Sequence, residues 1–247
     1  MLQLLTVMLI LMKFQLAVLF YENILNSFVI GGIHMTDNFN LIKEFIQSQW
    51  DNLFDEFTDA FYMIEIISRK KDGTSTKAHK FKSYYIRTIE DLDKYENEIK
   101  AVCDALQMRA YISINSKSIR HVTLNTMAEY ADRIAKDNFE KPYSVFDSCV
   151  GKFIDKSSQL WIVDVDKEDA DCMNMSVDEL VEFYKCIIET QCKPLKKIVT
   201  VIPTKSGKHI ICHPFDTIKF FDGYPIGSTA EALIKKNNNT LLYENIF

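Results

Sequence analysis

The sequence predicts an α+β protein of mixed α/β character, an RRM-like half-barrel packed with an N-terminal α/β module. Two observations carry this. Stretches with apolar residues at three- and four-residue steps, the helical period, alternate with short apolar runs of strand type. The last third reads strand, helix, strand, strand, a split α/β unit. With 247 residues, 47% of them hydrophobic and 26% charged, the chain can bury a sizeable core. It has no Pro/Gly-rich linker, so two closely packed lobes are expected. Residues 1–34 form a hydrophobic N-terminal segment expected to lie outside the functional fold. Residues 35–150 form the N-terminal module and residues 151–247 the half-barrel.

Met1 to Phe20 is almost wholly apolar but has no basic flank and no small-residue cleavage site. A short membrane anchor is the alternative, with Lys13 snorkelling. Met35 begins a stretch resembling an ordinary soluble start, so no membrane is expected in the functional fold. From there the spacing of Ile42, Phe45, Ile46, Leu53, Phe54, Phe57 and Phe61 predicts a helix over 41–61. A strand over 61–68, a hairpin tip at Asp72-Gly73 and a return strand over 84–87 follow. Lys70-Lys71-Asp72-Gly73 also matches the K-x-D-G of covalent nucleotidyltransferases, but among so many cations in a polar turn it reads as a hairpin tip. Thr88 with Asp91 opens a helix carrying Ile89, Leu92, Tyr95, Ile99, Val102 and Leu106 on one stripe. A strand over 109–114 leads into a polar loop. A helix over 123–137 then has Leu124, Met127, Ala131 and Ile134 on one side, and a short helix ends at Gly151.

The half-barrel opens with the apolar strand 160–165. Side chains alternate along a strand, so Asp164 and Asp166 share a face, roughly 7 Å apart at Cα, while Trp161, Val163 and Val165 point the other way. Two acids so placed can share a divalent cation. Ser176 and Glu179 form a capping box for a helix that ends before Pro194. Strands over 198–202 and 209–212 flank the turn Thr204-Lys205-Ser206-Gly207-Lys208-His209. It is not a Walker A loop, because the first glycine is missing and a histidine stands where the hydroxyl belongs. Even so, Lys205, Ser206, Gly207, Lys208 and His209 offer an ammonium, a hydroxyl, backbone N–H groups and an imidazole to a phosphate. Ser228 and Glu231 cap a helix to Lys236, and a last strand covers 240–243.

The formal net charge of −5 argues against coating nucleic acid by charge alone, though a local basic groove is compatible with it. Six cysteines without regular spacing argue against a disulfide framework and for a reducing, cytoplasmic setting. Cys186, Cys192, His209, Cys212 and His213 lack the paired spacing of a zinc site.

Two acids on a strand, a helix, a strand and then a serine–histidine turn resemble the catalytic core of archaeo-eukaryotic primases and primase-polymerases. The residues are Asp164, Asp166, Ser206 and His209, and the resemblance spans about residues 160–215. It implies a DNA-replication nucleotidyltransferase of a phage or mobile element, polymerising nucleotides with Mg²⁺ or Mn²⁺. Asp164, Asp166 and His209 would be catalytic and the turn would hold the nucleotide. Single-stranded DNA template, nucleoside triphosphates and a replicative helicase would be the partners. The pattern also requires a third metal-binding acid, for which Asp216, Asp222 and Glu244 are candidates, Asp216 foremost. A catalytically degenerate nucleic-acid-binding replication protein on the same scaffold is the alternative.

Overall fold

The computed structural model describes residues 34–51, 59–69, 79–153, 159–192, 197–222 and 233–246. Within them the chain forms two antiparallel sheets and the helices that cover them, a mixed α+β fold. The first sheet has the order β1-β10-β4-β2-β3, from β1 (His34–Asp37), β10 (Asn239–Ile246), β4 (Arg109–Ser113), β2 (Ala60–Ser68) and β3 (His79–Ile86). The two-residue β5 (Lys117–Ser118) pairs with the start of β2. The second sheet has the order β7-β8-β6-β9, from β7 (Ile198–Pro203), β8 (Gly207–Cys212), β6 (Trp161–Asp166) and β9 (Ile234–Lys235).

Alternation along each strand sorts the side chains into separate cores. In β2, Tyr62, Ile64 and Ile66 face α1 (Phe39–Asp51) and α2 (Ile89–Leu106), whereas Phe61 and Met63 face Val122, Val145 and Val150. In β6, Ile162 joins the first of these cores, together with Ile202 and Ile211 of the neighbouring strands. Val163 and Val165 pack instead on α6 (Val177–Thr190). One core therefore takes in side chains from both sheets. Asn38, buried where α1 begins, also ties them together. Its amide donates to the carbonyls of Pro203 in the second sheet, at 2.8 Å, and Leu241 in the first, at 2.9 Å.

Helix starts follow their caps. The Thr88 hydroxyl accepts the Asp91 N–H at 3.2 Å, and Ser176 and Glu179 complete the capping box of α6. Of the expected 41–61 helix, residues 41–51 lie in α1, and Leu53, Phe54 and Phe57 lie outside the described residues. Phe61 lies in β2, where its alternation with Tyr62 puts the two rings in different cores. The helix over Val145–Lys152, α4, runs one residue past Gly151. The helix expected to reach Lys236 gives way to strand at Ile234 and Lys235, because both pair with β6. The Asp72-Gly73 tip, the K-x-D-G stretch and Ser228 with Glu231 lie outside the described residues. The division at residue 151 is crossed by β10, which returns the end of the chain to the first sheet between β1 and β4. β1 itself begins at His34 and pairs with β10 from there.

α3 (Ile119–Ala135) reverses its expected face. Its buried residues are Val122 and Thr126, while Leu124, Met127 and Ile134 are exposed. Among the described residues no helix is long and apolar enough to cross a membrane.

Candidate functional site

β6 and β8 bring Asp164 and His209 directly opposite each other in register. Both project from the face of the second sheet that carries Ile162 and Ile211 toward the first sheet. The His209 Nε2 lies 3.2 Å from the Asp164 Oδ1, and its Nδ1 lies 2.9 Å from the hydroxyl of Thr240 on β10. An imidazole whose Nε2–H donates to Asp164 leaves Nδ1 to accept the Thr240 proton, so acid, ring and hydroxyl form one chain. The other oxygen of Asp164 accepts from the ammonium of Lys235 on β9. Burial pushes the Asp164 carboxyl up, but His209 and Lys235 outweigh it and hold the group at about 2.

Asp166, two residues on, shares this face at the exposed end of β6 and opens α5 (Lys167–Cys172) without a side-chain capping bond. Burial first, and then the charge of Asp164, push its carboxyl above the usual range. Two like charges on one strand face are an arrangement that a cation relieves. Asp166 is open to a divalent ion, whereas Asp164 must first exchange Lys235 for it.

The turn after β7 is a tight hairpin. The Thr204 N–H donates to the Gly207 carbonyl at 2.9 Å, the Gly207 N–H donates to the Thr204 hydroxyl at 3.1 Å, and the Lys167 N–H donates to the Ser206 carbonyl at 3.1 Å. Gly207 is required by close approach. A Cβ there would overlap the Val165 carbonyl oxygen and stand 3.0 Å from the Asp166 Cα. Lys205 and Ser206 are exposed at the tip, beside the Asp166 end of β6.

Not every expected site residue converges. Ser206 and His209 are separated by two residues, so Ser206 stays in the turn while His209 enters the sheet. Lys208 alternates to the opposite face, where its ammonium pairs with Asp178 of α6. That turns it away from Asp164, because neighbours along a strand point to opposite sides. The N–H of Gly207 is taken within the turn.

Asp216 does not join the acids. It follows the end of β8 that pairs with Trp161, and its Oδ1 accepts the N–H groups of Ile218, at 3.0 Å, and Lys219, at 3.3 Å. It caps α7 (Thr217–Asp222), which ends at the exposed Asp222. Glu244, the remaining candidate acid, is buried in the first sheet against Arg109, with 3.0 Å between Oε2 and Nε. Among the described residues no three of His, Cys, Asp and Glu converge to hold a metal ion.

Lys235 and Thr240 complete the site and carry no motif of their own. Lys235 falls in a stretch whose Ser228 and Glu231 read as a helix start, and Thr240 in a plain apolar strand. No protein-family model, no curated protein and no solved structure matches this chain.

Proposed function

We propose that this chain is the catalytic core of a primase-like nucleotidyltransferase that polymerises nucleotides on a single-stranded DNA template. The observation that carries the reading is the registered pair Asp164–His209 with Asp166 on the same face. The second sheet supports it. Its elements run strand, two helices, strand, strand, helix, strand, and the spatial order β7-β8-β6-β9 is compatible with an RRM-like unit. Asp164 and Asp166 would hold Mg²⁺ or Mn²⁺, which when bound neutralises a triphosphate and activates an attacking hydroxyl. His209, fixed by Thr240 behind it, points its Nε2–H at Asp164 and would give that proton to a phosphate oxygen once a metal ion takes the carboxylate. Lys205 and Ser206 at the exposed tip offer an ammonium and a hydroxyl to the rest of the triphosphate. Lys235, released from Asp164, would turn its charge to the same phosphates.

Incubation with single-stranded DNA, labelled nucleoside triphosphates and Mg²⁺ or Mn²⁺ tests this. Wild-type protein should make product, and Asp164→Ala or Asp166→Ala should lower the rate at least ~100-fold. Product that persists unchanged in both variants would remove the mechanism.

A second reading has its own observation. Lys235 already neutralises Asp164, and no third acid joins the pair among the described residues. A catalytically degenerate nucleic-acid-binding protein would then bind single-stranded DNA equally with and without Mg²⁺ and make no product. Shortening of the DNA instead would indicate a nuclease using the same acids.

A further inference from the structure

We propose that the chain forms a two-fold symmetric dimer through the outward face of α3, packed antiparallel against the same helix of a second copy. The helix is amphipathic in the wrong sense for a monomer. Val122, Thr126, Glu129 and Arg133 recur at helical spacing on its inward side, where only Val122 and Thr126 are buried and Glu129 pairs with Arg133 at 3.0 Å. Leu124, Met127, Ala131 and Ile134 fall on the opposite side at steps of three, four and three, the a/d spacing of a two-heptad seam. Leu124 is 54% exposed, Met127 63% and Ile134 62%. Phe139 and Tyr143, on the connection just past the helix, are 66% and 82% exposed.

A second copy is the occupant because the seam is complementary to itself in one orientation. Antiparallel pairing about a two-fold axis level with Glu129 sets Met127 against Ala131 and Leu124 against Ile134, so the largest side chain meets the smallest. Parallel pairing would set Met127 on Met127 and leave a gap between two alanines. Ala128 and Ala135, both exposed beside the seam, allow the helices close approach. Leu124, Met127 and Ile134 together expose on the order of 300 Å², a contiguous apolar patch of the size that marks an interaction site.

Sedimentation equilibrium of the full chain under reducing conditions tests the proposal. Wild-type protein should sediment at twice the chain mass at ~100 µM, and dilution should give its dissociation constant. Met127→Glu should raise that constant at least ~100-fold while leaving the far-ultraviolet circular dichroism spectrum of the folded chain unchanged, since the side chain is exposed. Met127→Ala and Ala131→Met should each weaken the dimer, and M127A/A131M together should recover most of the loss, because the exchange restores large-on-small packing across the axis. A monomer at ~100 µM would overturn the proposal. So would a dimer indifferent to Met127→Glu, or double-variant dimers no tighter than the single ones. A monomer whose α3 seam is protected from hydrogen exchange would assign the face to another segment of the same chain and overturn it equally.

Discussion

Asp164 and Asp166 carry the same carboxylate on the same strand face, yet the fold treats them in opposite ways. The carboxyl of Asp164 is depressed to about 2 by His209 and Lys235 against the cost of burial. Its interactions therefore stabilise the fold above the unfolded value near 3.9 and are lost as pH falls through about 2. The carboxyl of Asp166 is raised, so its charge is a cost at neutral pH that disappears as pH falls through the raised value. Asp164→Asn should lower the stability at pH 7 by about 1–3 kcal/mol, leaving His209 and Lys235 without their shared partner. Asp166→Asn should raise it by up to about 1 kcal/mol, since the group is exposed and its repulsion screened. Urea melts of the two variants at pH 7 and near pH 4 would measure the opposed signs. Equal destabilisation by both would contradict a shared like-charge face. The same contrast predicts the metal behaviour of Lys235→Met. With the competing ammonium gone, Mg²⁺ should raise the melting temperature of this variant more than that of wild type, as linkage requires when affinity for the native state increases.

At the scale of elements, the period of a strand made part of the site legible in the sequence and concealed the rest. Alternation fixed the common face of Asp164 and Asp166 and the opposite burial of Val163 and Val165, and both hold. The same alternation separates Lys208 from His209, so residues adjacent in a turn motif need not be adjacent in a site. Helical periodicity identified the α3 stripe but not the side on which it lies, because a period defines a face without saying what covers it. Asp216 read as a candidate for the third acid that the resemblance requires, whereas its position before Ile218 and Lys219 makes it a cap. Lys235 could not be read at all, since β9 is two residues long and owes its strand conformation to β6 rather than to its own composition. The hairpin between β7 and β8 yields the element-scale prediction. Gly207→Ala forces a methyl into the backbone of β6 beside Asp166, a neighbour that cannot rotate away. It should cost about 2 kcal/mol or more, above the ordinary strand penalty of a residue change, and should lower activity along with stability. Ser206→Ala at the exposed tip should leave the melt unchanged, and thermal denaturation of the pair separates crowding of the β6 backbone from loss of a solvent-facing hydroxyl.

At the scale of the molecule, the site lies where two sheets meet, and its geometry depends on their staying together. Asp164 and His209 come from the second sheet, while Thr240, which fixes the ring of His209, comes from the first. The core between them joins Ile64, Ile112 and Leu242 to Ile162, Ile202 and Ile211, and the chain crosses back to the first sheet with its last strand. No surface of either sheet's inner face is complete without the other, so unfolding should be a single cooperative transition despite the length of the chain. The two tryptophans suit the test, because Trp50 lies near the end of α1 and Trp161 begins the second sheet. Trp50→Phe and Trp161→Phe variants, each leaving one reporter, should show coincident urea transitions by fluorescence and by far-ultraviolet circular dichroism. Two separate midpoints would mean that the sheets fold independently. Asn38 sets how strongly they are coupled, since its one amide donates to a carbonyl on each side, that of Leu241 buried and that of Pro203 half-buried. Asn38→Ala leaves both carbonyls without that donor and should cost about 2–4 kcal/mol, shifting the two reporters together to lower urea. If only the Trp161 reporter moved, the amide would be serving the second sheet alone and the common core would not transmit its loss.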